Sequence, residues 1–356
     1  MNVTFLIGNG FDLNLGLKTQ YTDFYKYYCR LEKSQNDMIA SQIDGSYGKW
    51  SDLEMGLADF VNTLEPNQIK EFVASKVYLE EELVKYLKIQ EARLLLPDQA
   101  KAAGVFRQRV LTFYKELNSE WQDEYITVLQ KANGSLIYQF VDFNYTNTLD
   151  RLVELCQKRY DPFSSHRVGG SNYTDTIRCP LHIHGTLTKD LILGIDSIEQ
   201  IQNLSIRRER YLANYFVKSQ MNQALGEKRT ERFKKMIDQS QYIYLYGLSC
   251  GDSDQLWWKY IIQWLQKHPL NRLIICVYKA EYASGSAARK LQIADEQRSF
   301  FLNQGMCDAN LYENIKDKIH IIINSQIFSL DCVQVMPEKS EENGNCEIQE
   351  ELVGAV

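Results

Sequence analysis

Two of the chain's five histidines stand two apart, in His182-Ile183-His184-Gly185. Residues two apart on a strand share a face, so three uses are open to the pair. Both rings can ligate one metal ion, but no cluster of Cys, His and Asp at metal spacing supplies further ligands. Alternatively His184, at a strand end before glycine, moves a proton near neutral pH while His182 is structural. In the third, both rings are hydrogen-bonded strand residues. Phe143-Asn144-Tyr145-Thr146 follows another apolar stretch. Asn144 there offers a donor and an acceptor that can orient a water or a sugar hydroxyl, or it is simply a turn residue.

Two glycine turns complete the set. The first, Gly8-Asn9-Gly10-Phe11-Asp12, follows the apolar run at 3–7. Gly8 and Gly10 let backbone approach a pyrophosphate, and amides at a helix start attract anions; Asn9 and Phe11 belong to the same expected nucleotide-binding turn. Leu13 stands where a dinucleotide fingerprint has its third glycine, and Gly16-Leu17-Lys18-Thr19 has the wrong spacing for a P-loop. Asp12 would repel a phosphate, so it reads as a helix cap or as an acceptor for a ribose hydroxyl. The second turn runs from Gly247 to Asp254. Ser249 and the amides after it can bind phosphate or ribose; Asp252 is assigned to that site, with helix capping as its alternative. Cys250 has no histidine beside it, so no thiol nucleophile is expected. In Trp50-Ser51-Asp52-Leu53-Glu54, Ser51 and Glu54 have capping-box spacing; otherwise Asp52 or Glu54 faces a cleft.

These residues need elements to position them. Apolar, β-rich runs at 3–7, 136–143, 181–184, 191–195, 242–246, 272–278 and 318–324 read as strands. Residues 21–132 read as helical, residues 161–178 as a loop, and residues 198–236 as helical. The pattern predicts an α/β fold: a Rossmann-like three-layer sandwich with a mainly parallel sheet and a large helical insertion. The expected core is 1–50 with 133–330, the inserted helical lobe is 51–132, and the acidic tail at 331–356 is expected to be disordered. Ligands of such sheets lie at the carboxyl ends of the strands, where all four motifs fall.

Lys and Arg number 40 against 46 Asp and Glu, a net charge of −6. Residues 337–356 hold six Glu and one Lys, leaving a nearly neutral body that argues against broad nucleic-acid binding. The eight cysteines are scattered without a CxxC pair and read as reduced thiols. With no signal-peptide pattern and no apolar run of about 18 residues, the chain is expected to be cytoplasmic and to have no membrane partner.

The motifs in order, Gly8-Asn9-Gly10-Phe11-Asp12-Leu13, the Trp50 to Glu54 stretch, Phe143-Asn144-Tyr145-Thr146, His182 to Gly185 and the Gly247 to Asp254 loop, resemble the AbiH-type bacteriophage abortive-infection family across residues 1–330. More distantly, the order is similar to sirtuin-like NAD-consuming domains. That resemblance implies NAD as substrate, with Gly8 and Gly10 at its phosphates. It implies Asn144 at the ribose or the attacking water, His184 as catalytic base, and Gly247 and Ser249 at the adenosine end. Thr146 stands where the sirtuin-like pattern has Asp, and no four-cysteine zinc module is present. The implied activity is NAD hydrolysis to nicotinamide and ADP-ribose on phage sensing. No metal is expected; a homo-oligomer and a phage-derived trigger are expected partners. The alternatives are a metal-dependent hydrolase or nuclease using His182 and His184, and a non-catalytic nucleotide sensor.

Overall fold

A computed structural model describes residues 1–282 and 286–337. In chain order the strands are β1 (Asn2–Ile7), β2 (Leu94–Leu95), β3 (Ile137–Asp142), β4 (Ser164–Val168), β5 (Ser171–Ile177), β6 (Leu181–His182), β7 (Tyr242–Tyr246), β8 (Arg272–Val277), β9 (Ile319–Ile323) and β10 (Gln334–Val335). The main sheet runs β4-β5-β3-β1-β7-β8-β9, with β6 beside the end of β3. Every pairing in it is parallel except β4 with β5.

β1 is central because it is apolar on both faces, as a strand covered from both sides must be. Val3, Phe5 and Ile7 enter one core with Phe106, Phe113 and Leu152, while Leu6 enters another with Trp258 and Ile261. Full burial of one such side chain, Phe5 for example, stabilises by about 1.5–3 kcal/mol. Helices Gln99–Leu111, Ser119–Gln130 and Thr148–Arg159 cover the first face. Helices Arg229–Asp238, Gln255–Lys267 and Ala287–Gln304 cover the second. This is the expected Rossmann-like three-layer arrangement.

The helical stretch at 51–132 divides its packing. Its second half lies on the sheet. Its first half, with Tyr21–Tyr28 and Arg210–Phe216, builds a third core. That core reaches Tyr145, Leu187, Leu193 and Ile195, just beyond the ends of β3 and β6.

Four local expectations are corrected. Residues 161–178, read as a loop, contain the β4–β5 hairpin, turned by Gly169 and Gly170 at φ +55° and +88°. Its polar strands lie at the sheet edge, so they lack an apolar signature. Residues 191–195 form no strand; 192–195 are buried, and only Ile195 makes a β-bridge, to Val217. The stretch 198–236 breaks into Leu204–Arg207, Arg210–Phe216, Lys218–Ala224 and Arg229–Asp238. At the other end, residues 331–337 belong to the fold: Cys332 is buried and β10 pairs antiparallel with β2. The rest of the expected disordered tail, 338–356, lies outside the described residues.

Ile7 pairs with Asp142 on one side and Tyr246 on the other, so three strands end level. From β1 the chain works outward through β3 to β5, then returns to β7 and works outward on the other side. The crevice at that reversal is where such folds bind ligands. Its two glycine turns lie against each other: Gly10 N donates to the Gly247 carbonyl at 2.9 Å. A Cβ on Gly10 would stand 2.4 Å from Gly247 Cα, and Gly247 sits at φ +68°. Gly10→Ala should therefore destabilise the protein by about 1–3 kcal/mol, seen as a lower urea midpoint. Gly48→Ala, where an added Cβ meets nothing within 4 Å, should leave the midpoint nearly unchanged.

Candidate active site

A cleft of about 1040 Å³ opens at this reversal. Gly8, Asn9, Gly10, Asn144, His184, Gly247, Ser249 and Asp254 line it at one end, and Tyr278, Lys279 and Asn324 at the other. The glycine turns build its wall. Gly8 N donates to the Tyr246 carbonyl at 2.9 Å, so the amides of both Gly8 and Gly10 are taken by the Tyr246–Gly247 backbone. Neither of these two amides has a free hydrogen to offer a phosphate. Gly247 must be glycine for its backbone contact with Gly10.

The rest of the first turn is structural as well. Asn9 Nδ2 donates to the Thr19 carbonyl at 2.9 Å, and Thr19 Oγ1 donates to Asn9 Oδ1 at 2.5 Å. Phe11 is fully buried against Phe328. Asp12 neither caps its helix nor meets the main cleft. Its carboxylate is buried and accepts from Thr146 Oγ1 at 2.6 Å and Thr148 Oγ1 at 2.5 Å. Burial pushes Asp12 up to about 6 against those two hydrogen bonds. Thr146, the departure from the sirtuin-like pattern, is thus a donor that Asp12 requires.

His184 and Asn144 do come together on the cleft. His184 is 5 % exposed, edge-on to Phe143 at 5.6 Å, and Phe143 stacks on Trp258. Its Nε2 lies 3.1 Å from Asp254 Oδ1. Gly185 permits the chain to turn there: it holds φ +77°, and a Cβ would stand 1.9 Å from the Asp190 carbonyl oxygen. Asn144 N donates to Asp142 Oδ1 at 2.9 Å, and its Nδ2 to the Gly8 carbonyl at 3.2 Å.

Behind His184 lies a buried charge cluster. Lys218 Nζ meets Asp254 Oδ1 at 2.9 Å, Glu54 Oε2 at 2.7 Å and the Ser253 carbonyl at 2.8 Å. Glu54 Oε1 accepts from Gly194 N at 3.0 Å. Burial opposes the charge on Asp254, yet Lys218 and His184 hold its carboxyl well below the usual carboxylate range. Burial likewise opposes the Lys218 charge, and Asp254 and Glu54 hold it above the ordinary lysine range. Glu54, the surplus anion, is pushed up by burial against the pull of Lys218. Burial lowers the His184 imidazole despite Asp254. An ionised Asp254 fixes the proton on Nε2 and leaves Nδ1 as the ring's basic atom.

A family comparison bears on this constellation. The family described as "Bacteriophage abortive infection AbiH" matches residues 4–275, which include the turns, Glu54, Asn144, both histidines and Lys218. The chain belongs to the AbiH family. Membership points to an anti-phage, abortive-infection role. None of the curated proteins compared with this AbiH chain matches it. Among the described residues no helix is long and apolar enough to cross a membrane.

Other expected site residues fall elsewhere. Asp252 is exposed and outside the cleft, and its carbonyl accepts from Gln200; Asp254, two residues on, is the acid that reaches His184. Ser249 is exposed on the cleft wall. Cys250 is buried with its thiol pushed up by burial, in keeping with no thiol nucleophile. The helix cap at 51–54 is Asp52, whose Oδ1 accepts from Glu54 N and Met55 N at 3.1 Å, so the Ser51–Glu54 capping box is corrected. His182 lies off the cleft. Its Nδ1 donates to the Asn144 carbonyl at 3.0 Å and its Nε2 lies 2.8 Å from Asp150 Oδ2. Burial opposes its charge, but Asp150 and Asp142 raise it to about 9.

Lys218 escaped the sequence reading although a signal was present: a lysine directly after Phe216-Val217, buried with them. Removing it strands two buried carboxylates. Lys218→Met should cost about 3–5 kcal/mol of stability, measured by urea denaturation.

Proposed function

We propose that this AbiH-family protein hydrolyses NAD to nicotinamide and ADP-ribose when a phage infection is sensed. The observation that carries the proposal is His184, its Nε2 fixed by Asp254, sharing with Asn144 a cleft at the sheet's reversal point. Asn144 orients a water by its side-chain amide. The bond between ribose C1′ and the nicotinamide nitrogen breaks, and its electron pair neutralises the departing ring. The water oxygen bonds to C1′, and its proton passes to His184 Nδ1. Phe143 and Tyr145 line the cleft on the His184 side.

The cleft is of the size that holds a dinucleotide, since ligand pockets run to about 1,000 Å³. With the Gly8 and Gly10 amides spent, the far end supplies other contacts. Tyr278 is 81 % exposed where it lines the cleft, a face on which adenine stacks, with Lys279 beside it for the phosphates. The metal-hydrolase alternative loses its geometry, because His182 is turned away from the cleft that His184 lines.

Wild type should release nicotinamide from NAD, either as purified protein or in infected cells. His184→Ala should slow release by about 10²–10⁴-fold while the protein stays folded. Full turnover in that variant would overturn the role of His184, and NAD binding without turnover in the wild type would favour a sensor. The reacting form is the neutral imidazole, and burial lowers its pKa from the ordinary 6.5. The rate should therefore hold across neutral pH and fall only on the acid side, below 6.5. Tyr278→Ala should raise KM with little change in kcat, by a factor matching the roughly 1–3 kcal/mol of a base–aromatic stack.

A further inference from the structure

We propose that Asp142, Asp150 and His182 bind a divalent cation of the zinc class, behind the Asn144 loop and apart from the cleft. One carboxylate oxygen from each aspartate and one ring nitrogen of His182 lie within 4.8 Å of one another. The fold aims them together. Asp142 ends β3, His182 is its register partner on β6, and Asp150 is in the first turn of Thr148–Arg159.

A second observation calls for a ligand. Asp142 is fully buried and its Oδ1 is taken by the Asn144 amide, but its Oδ2 has no hydrogen-bond partner among the described residues. A protonated His182 bridging to Asp150 leaves that oxygen unpaired; a cation gives it a partner. The surrounding contacts are those of a prepared metal site. His182 Nδ1 must be the donor to the Asn144 carbonyl, so the neutral ring presents its Nε2 lone pair towards Asp150. Two carboxylates and one neutral imidazole balance a charge of +2. The nitrogen-and-oxygen donor set suits tetrahedral zinc, with ligands at about 2.0–2.2 Å. The partly exposed Asp150 side leaves room for a water as fourth ligand. None of the three residues lines the cleft. The ion acts by positioning: Asn144 donates to one of its ligands and accepts from another.

The test is elemental analysis of the full chain prepared without a histidine tag, followed by zinc titration of chelator-stripped protein. Wild type should hold about one zinc per chain, and zinc should raise its Tm. Asp150→Asn, a substitution at a partly exposed side chain, and His182→Gln should each weaken zinc binding by about 100-fold or more while circular dichroism stays native. A folded wild type that takes up no zinc at micromolar free metal would overturn the proposal. So would undiminished uptake in both variants, which would assign the metal to thiols such as the exposed Cys179. Zinc content is read independently of NAD turnover, so the two proposals fail separately.

Discussion

The contact between Gly10 and Gly247 sets the terms for the rest of the molecule. Two backbones pass so closely that neither position has room for a side chain. The apposition joins the ends of β1 and β7 and uses the amides that a phosphate would need. The cleft runs past these turns, from the ends of β3 and β6 to the ends of β8 and β9. Asn144 is tied to the same frame through its hydrogen bond to the Gly8 carbonyl. A shift of the glycine turns thus moves a candidate catalytic side chain directly.

The second constraint is charge. A histidine kept neutral and held in one tautomer needs an ionised partner in a dry place, and a buried carboxylate needs a cation. Lys218 provides it, and Glu54 then satisfies Lys218 from the opposite side. None of these groups can be dry unless something covers the ends of the strands. The helices between Tyr21 and Ala92, with Arg210–Phe216, supply that cover. The insertion is thus part of the site: Glu54 comes from it, and its core continues into Tyr145 beside His184.

The fold was legible because strands covered on both faces are nearly continuous apolar runs, as in Val3 to Ile7 and Tyr242 to Tyr246. The β4–β5 hairpin was not, since a half-exposed edge strand such as SNYTDTI has little apolar signal. The site was legible where one residue type did the work: His184 and Asn144 both reach the cleft. It was illegible where function depends on partners distant in sequence. Asp12 resembled a cap until Thr146 and Thr148 surrounded it. Asp252 and Asp254 cannot be distinguished by spacing, and only the fold puts the second against His184. Glycine is ambiguous for a related reason. A turn that must approach a phosphate and a turn that must approach another backbone select the same residue.

The two histidines show how strongly a single turn divides chemistry. Had β6 continued, His182 and His184 would share a face, and a metal between them would be the natural arrangement. The strand instead stops at His182, and Ile192 N bonds to the His184 carbonyl. At Gly185 the chain reverses against Asp190 in a geometry barred to any residue with a Cβ. His182 is left facing two aspartates behind the loop, where the unpartnered Oδ2 of Asp142 favours a cation. His184 is left facing the cleft, where burial favours the neutral ring. One environment asks for positive charge and the other for its absence, and residues only two apart answer both. Asn144 joins them, with its backbone held by the first environment and its side chain serving the second.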